Sequence, residues 1–190
     1  MKKFLAAAAA LTYLAQPAQN DATARTATDN FKSSASILID KSERKVMVYQ
    51  NEVLAFSFPA DFGKDCTDMR DKSDAIDTCT PEGSYKVLEK RGINRTRRYK
   101  ELLLDYPTQD DLSAGARAGA VGWRDIVRDL YYRIRRGHPA YDTKLGGPFG
   151  IQGYGGTGKD WTDGYVAISN EAMDKIFPIV VKGSAVNIVK

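Results

Sequence analysis

Trp161-Thr162-Asp163-Gly164-Tyr165-Val166-Ala167-Ile168-Ser169-Asn170 holds three structural signals in ten residues. Asp163-Gly164 marks a turn, Tyr165 to Ile168 reads as a short apolar strand, and Ser169 is placed to cap a helix running from Asn170 to about Val180. Ala185 to Val189 then alternates as a closing strand. The segment before the stretch, Leu145 to Gly164, carries eight glycines, a density that implies tight turns and close backbone approach.

Further upstream the chain opens as β. Ile37-Leu38-Ile39, Val46 to Tyr49 and Val53 to Phe58 are separated by short polar turns and read as a β-meander. Thr80-Pro81-Glu82-Gly83 is a turn leading into a strand at Ser84 to Leu88, and Glu101 to Asp105 is another strand. Thr108 caps a helix reaching Ala118. A longer helix is predicted from Trp123 to Arg136, where Val127, Leu130, Tyr131 and Ile134 recur at helical spacing, its basic residues face outward and Gly137 stops it. Strands dominate, so the expected class is mainly β with peripheral helices.

The N-terminus reads as a secretory signal peptide over residues 1–24: Lys2 and Lys3, the apolar run Phe4 to Ala15, then Ala22-Thr23-Ala24 as an A-x-A cleavage pattern. The run is too short to span a bilayer, which takes roughly 20 apolar residues, and no later segment approaches that length. Residues 25–34 form a polar linker, and residues 35–190 make one domain with no internal repeat. Export makes a disulfide the natural state of Cys66 and Cys79, the two cysteines of the chain, which flank twelve mostly polar residues.

The formal net charge of +4 falls to +3 once residues 1–24 are removed. The basic residues gather in two runs, Lys90 to Lys100 and Arg124 to Arg136, interspersed with acids. Export argues against nucleic acid as a partner and leaves anionic envelope components open. With His138 the lone histidine, no metal site is evident and no cofactor is expected. Gly153 to Lys159 satisfies the G-x-x-x-x-G-K spacing of a phosphate loop, but Asp160 stands where a Ser or Thr would hold Mg²⁺ and no helix opens there. Asn94-Arg95-Thr96 matches the glycosylation sequon, a pattern short enough to arise by chance.

Taken in order, the meander, the Thr-Pro-Glu-Gly turn, Leu145 to Gly153 and the Trp161 to Asn170 stretch resemble the L,D-transpeptidase catalytic (YkuD-like) family over about residues 35–190. One branch of that family carries W-T-x-G-C-x-A-x-S-N after a strand ending in Ile-His-Gly. The match holds at Trp161, Thr162, Gly164, Val166, Ala167, Ser169 and Asn170. The resemblance implies a β-sandwich that binds peptidoglycan stem peptides, with Gly153, Tyr154, Trp161, Thr162 and Gly164 as candidates for the substrate groove. The family reaction is acyl transfer, in which a thiolate activated by histidine attacks the carbonyl of the third stem residue and expels D-alanine. At the matching positions this chain has Tyr165 for the cysteine and Gln152 for the histidine. A phenol is protonated near neutral pH, and a glutamine does not titrate, so no catalytic residue is expected.

The expected function is therefore that of a catalytically inactive envelope protein that binds stem peptides or regulates a cell-wall enzyme. Two alternatives stand beside it: an active L,D-transpeptidase or carboxypeptidase with Tyr165 or Ser169 as an atypical nucleophile, and an interaction protein that docks through the basic helix 123–136. The oligomeric state is not legible in the sequence.

Overall fold

The computed structural model describes residues 35–64, 66 and 71–190. The signal peptide and the linker expected over residues 1–34 lie outside the described residues. Alternation builds the first three strands: Ile37 and Ile39 of β1 (Ser36–Asp40) and Val46 and Val48 of β2 (Lys45–Gln50) point to one face and are buried. β3 (Val53–Pro59) completes the meander, with a register shift after Val48.

The other strands are β4 (Gly83–Arg91), β5 (Glu101–Leu104), β6 (Gly150–Gln152), β7 (Val166–Ala167) and β8 (Ala185–Val189). All eight join in the order β3-β2-β1-β8-β4-β5-β6-β7. β8 enters between β1, to which it is parallel, and β4, to which it is antiparallel, so it links the meander to the rest of the sheet. The chain leaving β3 then reaches the far edge. Asp61 bridges Ala167 through paired backbone bonds of 2.8 Å, and Gly63 bridges Thr162. The sheet thus curls until its two edges meet, which gives the expected mainly β architecture as a single curled sheet.

Three helices pack around it. Thr108 caps α1 (Gln109–Arg117) in a capping box with Asp111, satisfying a backbone N–H at each end of the pair. Ser169 caps α3 (Asn170–Ile176) by accepting from the Ala172 N–H, and α3 buries Ala172, Met173 and Ile176. α2 (Trp123–Arg136) is different, because its one buried residue is Asp129. That carboxylate accepts from Gln109 Nε2 at 2.8 Å, Arg133 Nε at 2.6 Å and the Ala140 N–H at 3.0 Å. Polar bonds rather than apolar burial hold this helix to the body.

Among the described residues the core runs from Ala35 to Ile188. Tyr85, Tyr106 and Phe149 meet edge to face with centroids 5.7–6.1 Å apart. Cys66 and Cys79 form the expected disulfide, with Cα atoms 5.1 Å apart. No helix among the described residues is long and apolar enough to cross a membrane.

Candidate functional site

Three cross-strand partners lie in one row. Arg91 of β4 pairs with Glu101 of β5, and Glu101 pairs with Gln152 of β6, so the three side chains share one face of the sheet. Tyr165 enters beside this row, immediately before β7, from a turn that Gly164 makes at φ +98°, a conformation in which most side chains are strained. The Thr162 hydroxyl donates to the Tyr165 carbonyl at 2.6 Å and fixes the entry.

Gln152 and Tyr165 are both buried, at 3% and 6% exposure. The Tyr165 ring meets Phe149 edge to face at 6.2 Å, and the Arg98 guanidinium lies 4.4 Å from its centroid. Burial pushes the phenol's ionisation well above its ordinary value, the nearby Glu101 charge adds to this, and Arg98 opposes both. Tyr165 is therefore neutral at physiological pH. Glu101 is fully buried, 3.6 Å from Arg91 and 3.8 Å from Arg98. Its carboxylate interacts with the Tyr165 hydroxyl, while both guanidinium groups stand beyond direct hydrogen-bonding distance.

Gln152, Tyr154, Trp161, Thr162 and Tyr165 line one cavity of about 220 Å³ together with Arg97, Arg98 and Asp163. Of the residues expected to form a groove, Tyr154, Trp161 and Thr162 come together with the Gln152 and Tyr165 positions. Tyr154 and Trp161 present half-exposed rings. Gly153 and Gly164 serve as framework. A Cβ on Gly153 would stand 2.5 Å from Asn170 Oδ1, and Gly164 lies against the carbonyls of Cys79 and Thr78. Arg98 and Glu101 are the residues that sequence reasoning missed. The arginine had been read as part of a solvated basic run. A lone carboxylate opening the otherwise apolar strand Glu101-Leu-Leu-Leu104 was the available signal.

The phosphate-loop spacing at Gly153 to Lys159 also has a structural explanation. Asp61, fully buried, accepts from the Thr157 N–H at 2.9 Å, the Thr157 hydroxyl at 2.8 Å and the Gly158 N–H at 2.8 Å. The amides that might have received an anion already hold one of the chain's own carboxylates. No cluster of metal-ligating side chains occurs among the described residues. The Ser169 hydroxyl is engaged as the cap of α3.

The family model for the L,D-transpeptidase catalytic domain (YkuD) matches residues 34–188. Comparison with curated proteins by sequence gives no match. Among solved structures, the helical cell shape determining protein Pgp2 of Campylobacter jejuni aligns with a TM-score of 0.55 at 20% identity, covering 83% of this chain and 48% of that one. Bd1075 of Bdellovibrio bacteriovorus aligns at 0.49 and 19%, covering 83% and 48%. The L,D-transpeptidase of Xylanimonas cellulosilytica aligns at 0.47 and 12%, covering 88% and 69%. The chain spans about half the length of the first two, and at these identities the likeness concerns the fold alone.

Proposed function

The chain belongs to the L,D-transpeptidase catalytic domain (YkuD) family, and on that premise we propose that it is a catalytically inactive member which binds peptidoglycan stem peptides or regulates a cell-wall enzyme outside the cytoplasm. One observation carries this reading. The position that matches the family nucleophile is Tyr165, buried, neutral and covered by Arg98, and the position that matches the family base is Gln152. A phenol whose ionisation is pushed upward, with a glutamine at the position of the family histidine, is a poor nucleophile near pH 7. Ser169, the other hydroxyl in the motif, is occupied as a helix cap.

Binding is supported by what remains of the site. Tyr154 and Trp161 offer exposed aromatic faces, and Arg97 and Arg98 offer guanidinium groups to the carboxylates of a peptide. The test is incubation with tetrapeptide muropeptides, following D-alanine release by mass spectrometry and binding by calorimetry. Binding without release is the expected result. Release would overturn the inactive assignment, and absence of both would overturn the stem-peptide ligand.

A further inference from the structure

The longest helix of the described residues is turned with its apolar stripe away from the core. The helical spacing of Val127, Leu130, Tyr131 and Ile134 ordinarily marks the face that packs inward. Here those four are exposed, with Trp123 at 71% and Ile134 at 72% exposure at the two ends of the stripe. It is the polar flank next to Ile126 that docks, through Arg133 and Asp129. Arg133 also donates to the Pro107 carbonyl, and Arg128 reaches Asp142 at 2.9 Å. At about 100° per residue, Trp123, Ile126, Val127, Leu130, Tyr131 and Ile134 occupy an arc of about 140°, and Arg124, Arg135 and Arg128 follow directly along one border. Arg124, Arg135 and Arg136 are exposed and have no ion-pair partner among the described residues. The acids of the helix are engaged elsewhere, Asp125 on the Gly122 N–H and Asp129 inside.

We infer that α2 is a docking surface for an anionic lipid bilayer, lying in the plane of the headgroups with the Trp123 to Ile134 stripe inserted and the arginine border on lipid phosphates. An apolar face with Trp, Leu and Ile, bordered by arginines, is the composition of an interfacial helix. Tryptophan and tyrosine suit the boundary between headgroup and acyl chain, where one end of the ring is apolar and the other wet. Charge decides the occupant. Arg124 and Arg135 on that border have no ion-pair partner among the described residues and add positive charge beside the stripe, which an anionic surface neutralises and a second copy of the same helix does not. The inference is independent of whether the Tyr165 cavity binds stem peptides, because α2 contributes no residue to that cavity.

The test uses residues 25–190, the chain expected after removal of residues 1–24, which excludes the apolar run Phe4 to Ala15 that would itself enter lipid. Cosedimentation with phosphatidylglycerol vesicles and with phosphatidylcholine vesicles is measured alongside tryptophan emission. Trp161→Phe leaves Trp123 as the remaining indole of the two in the chain. The expected result is partitioning at least tenfold stronger into phosphatidylglycerol, a blue shift of Trp123 emission, and weakening at high salt. Leu130→Glu with Ile134→Glu should lower partitioning at least tenfold while the thermal midpoint holds, since both side chains are exposed. Arg124→Gln with Arg135→Gln should remove the preference for phosphatidylglycerol. No partitioning, or partitioning unchanged by the glutamate pair, would overturn the inference. So would a concentration-dependent dimer, seen by ultracentrifugation, that the glutamate pair dissolves, for the stripe would then belong to a second copy.

Discussion

Arg98 serves Tyr165 and Glu101 at once: its guanidinium covers the phenol ring at 4.4 Å and stands 3.8 Å from the buried carboxylate. One cation therefore compensates a buried charge and closes over the phenol ring. Arg98→Ala should destabilise the domain by about 1 kcal/mol, a modest figure because the arginine is half-exposed and Arg91 remains beside Glu101. Adding Glu101→Gln should recover part of that loss by removing the charge left behind. Urea unfolding of the single and double variants checks this, and a double variant less stable than the single one would contradict it.

Placing the family residues at positions 152 and 165 tests the proposed reading of the cavity. Gln152→His with Tyr165→Cys should bring back measurable D-alanine release from tetrapeptide muropeptides. Replacing a buried tyrosine by cysteine leaves a cavity, so a loss of about 2–4 kcal/mol in stability is expected alongside. A folded double variant that binds muropeptides yet releases nothing would show that the remaining geometry does not orient the thiol.

Acid should weaken the contact that pins the loop following the glycine-rich segment. Asp160 accepts from Arg44 at 2.7 and 3.0 Å and from the Phe62 N–H at 2.7 Å. Burial works to raise its pKa, but the Arg44 bonds, the Phe62 bond and the Arg44 charge outweigh it and hold the carboxyl below its usual range. A depressed folded-state value means stability that is present above about pH 4 and is lost as the pH falls through that depressed value. Asp160→Asn should cost about 1–2 kcal/mol at neutral pH and flatten the acid limb of stability against pH. An acid limb unchanged by the substitution would assign the sensitivity to other carboxylates.

The disulfide closes a loop of twelve intervening residues. Cys66→Ser with Cys79→Ser should lower stability by about 2–3 kcal/mol, mainly by freeing the unfolded chain, with little change in the far-UV spectrum. Loss of secondary structure would instead make the bridge a condition for folding.

Local signals were legible wherever one residue type decides a backbone event. The alternation of Ile37, Ile39, Val46 and Val48 gave the meander, and Thr108 and Ser169 cap the helices they precede. The residues singled out around Trp161 to Asn170 lie near one another, since Gln152, Tyr154, Trp161, Thr162 and Tyr165 line one cavity. Long-range choices were not legible. Nothing in Ala185 to Val189 says that it inserts between β1 and β4, because many alternating strands would fit that slot. The spacing of α2 implied a face turned to the core, but Asp129 won the docking because a buried carboxylate with three donors outweighs an apolar stripe that finds no opposing surface. Arg98 was invisible for a related reason: a sequence shows that arginines cluster without showing which of them turns back over a ring.

The position of β8 sets a rule for how the chain acquires its shape during synthesis. The meander is made first, yet its sheet neighbour is the strand made last of the eight. Until that strand is made, the meander is joined to the other half of the sheet only through the bridges from Asp61 and Gly63 to Ala167 and Thr162, and pairing across some 150 residues is slow in any case. The inner neighbour of β1 therefore reaches it only after the other seven strands have been made.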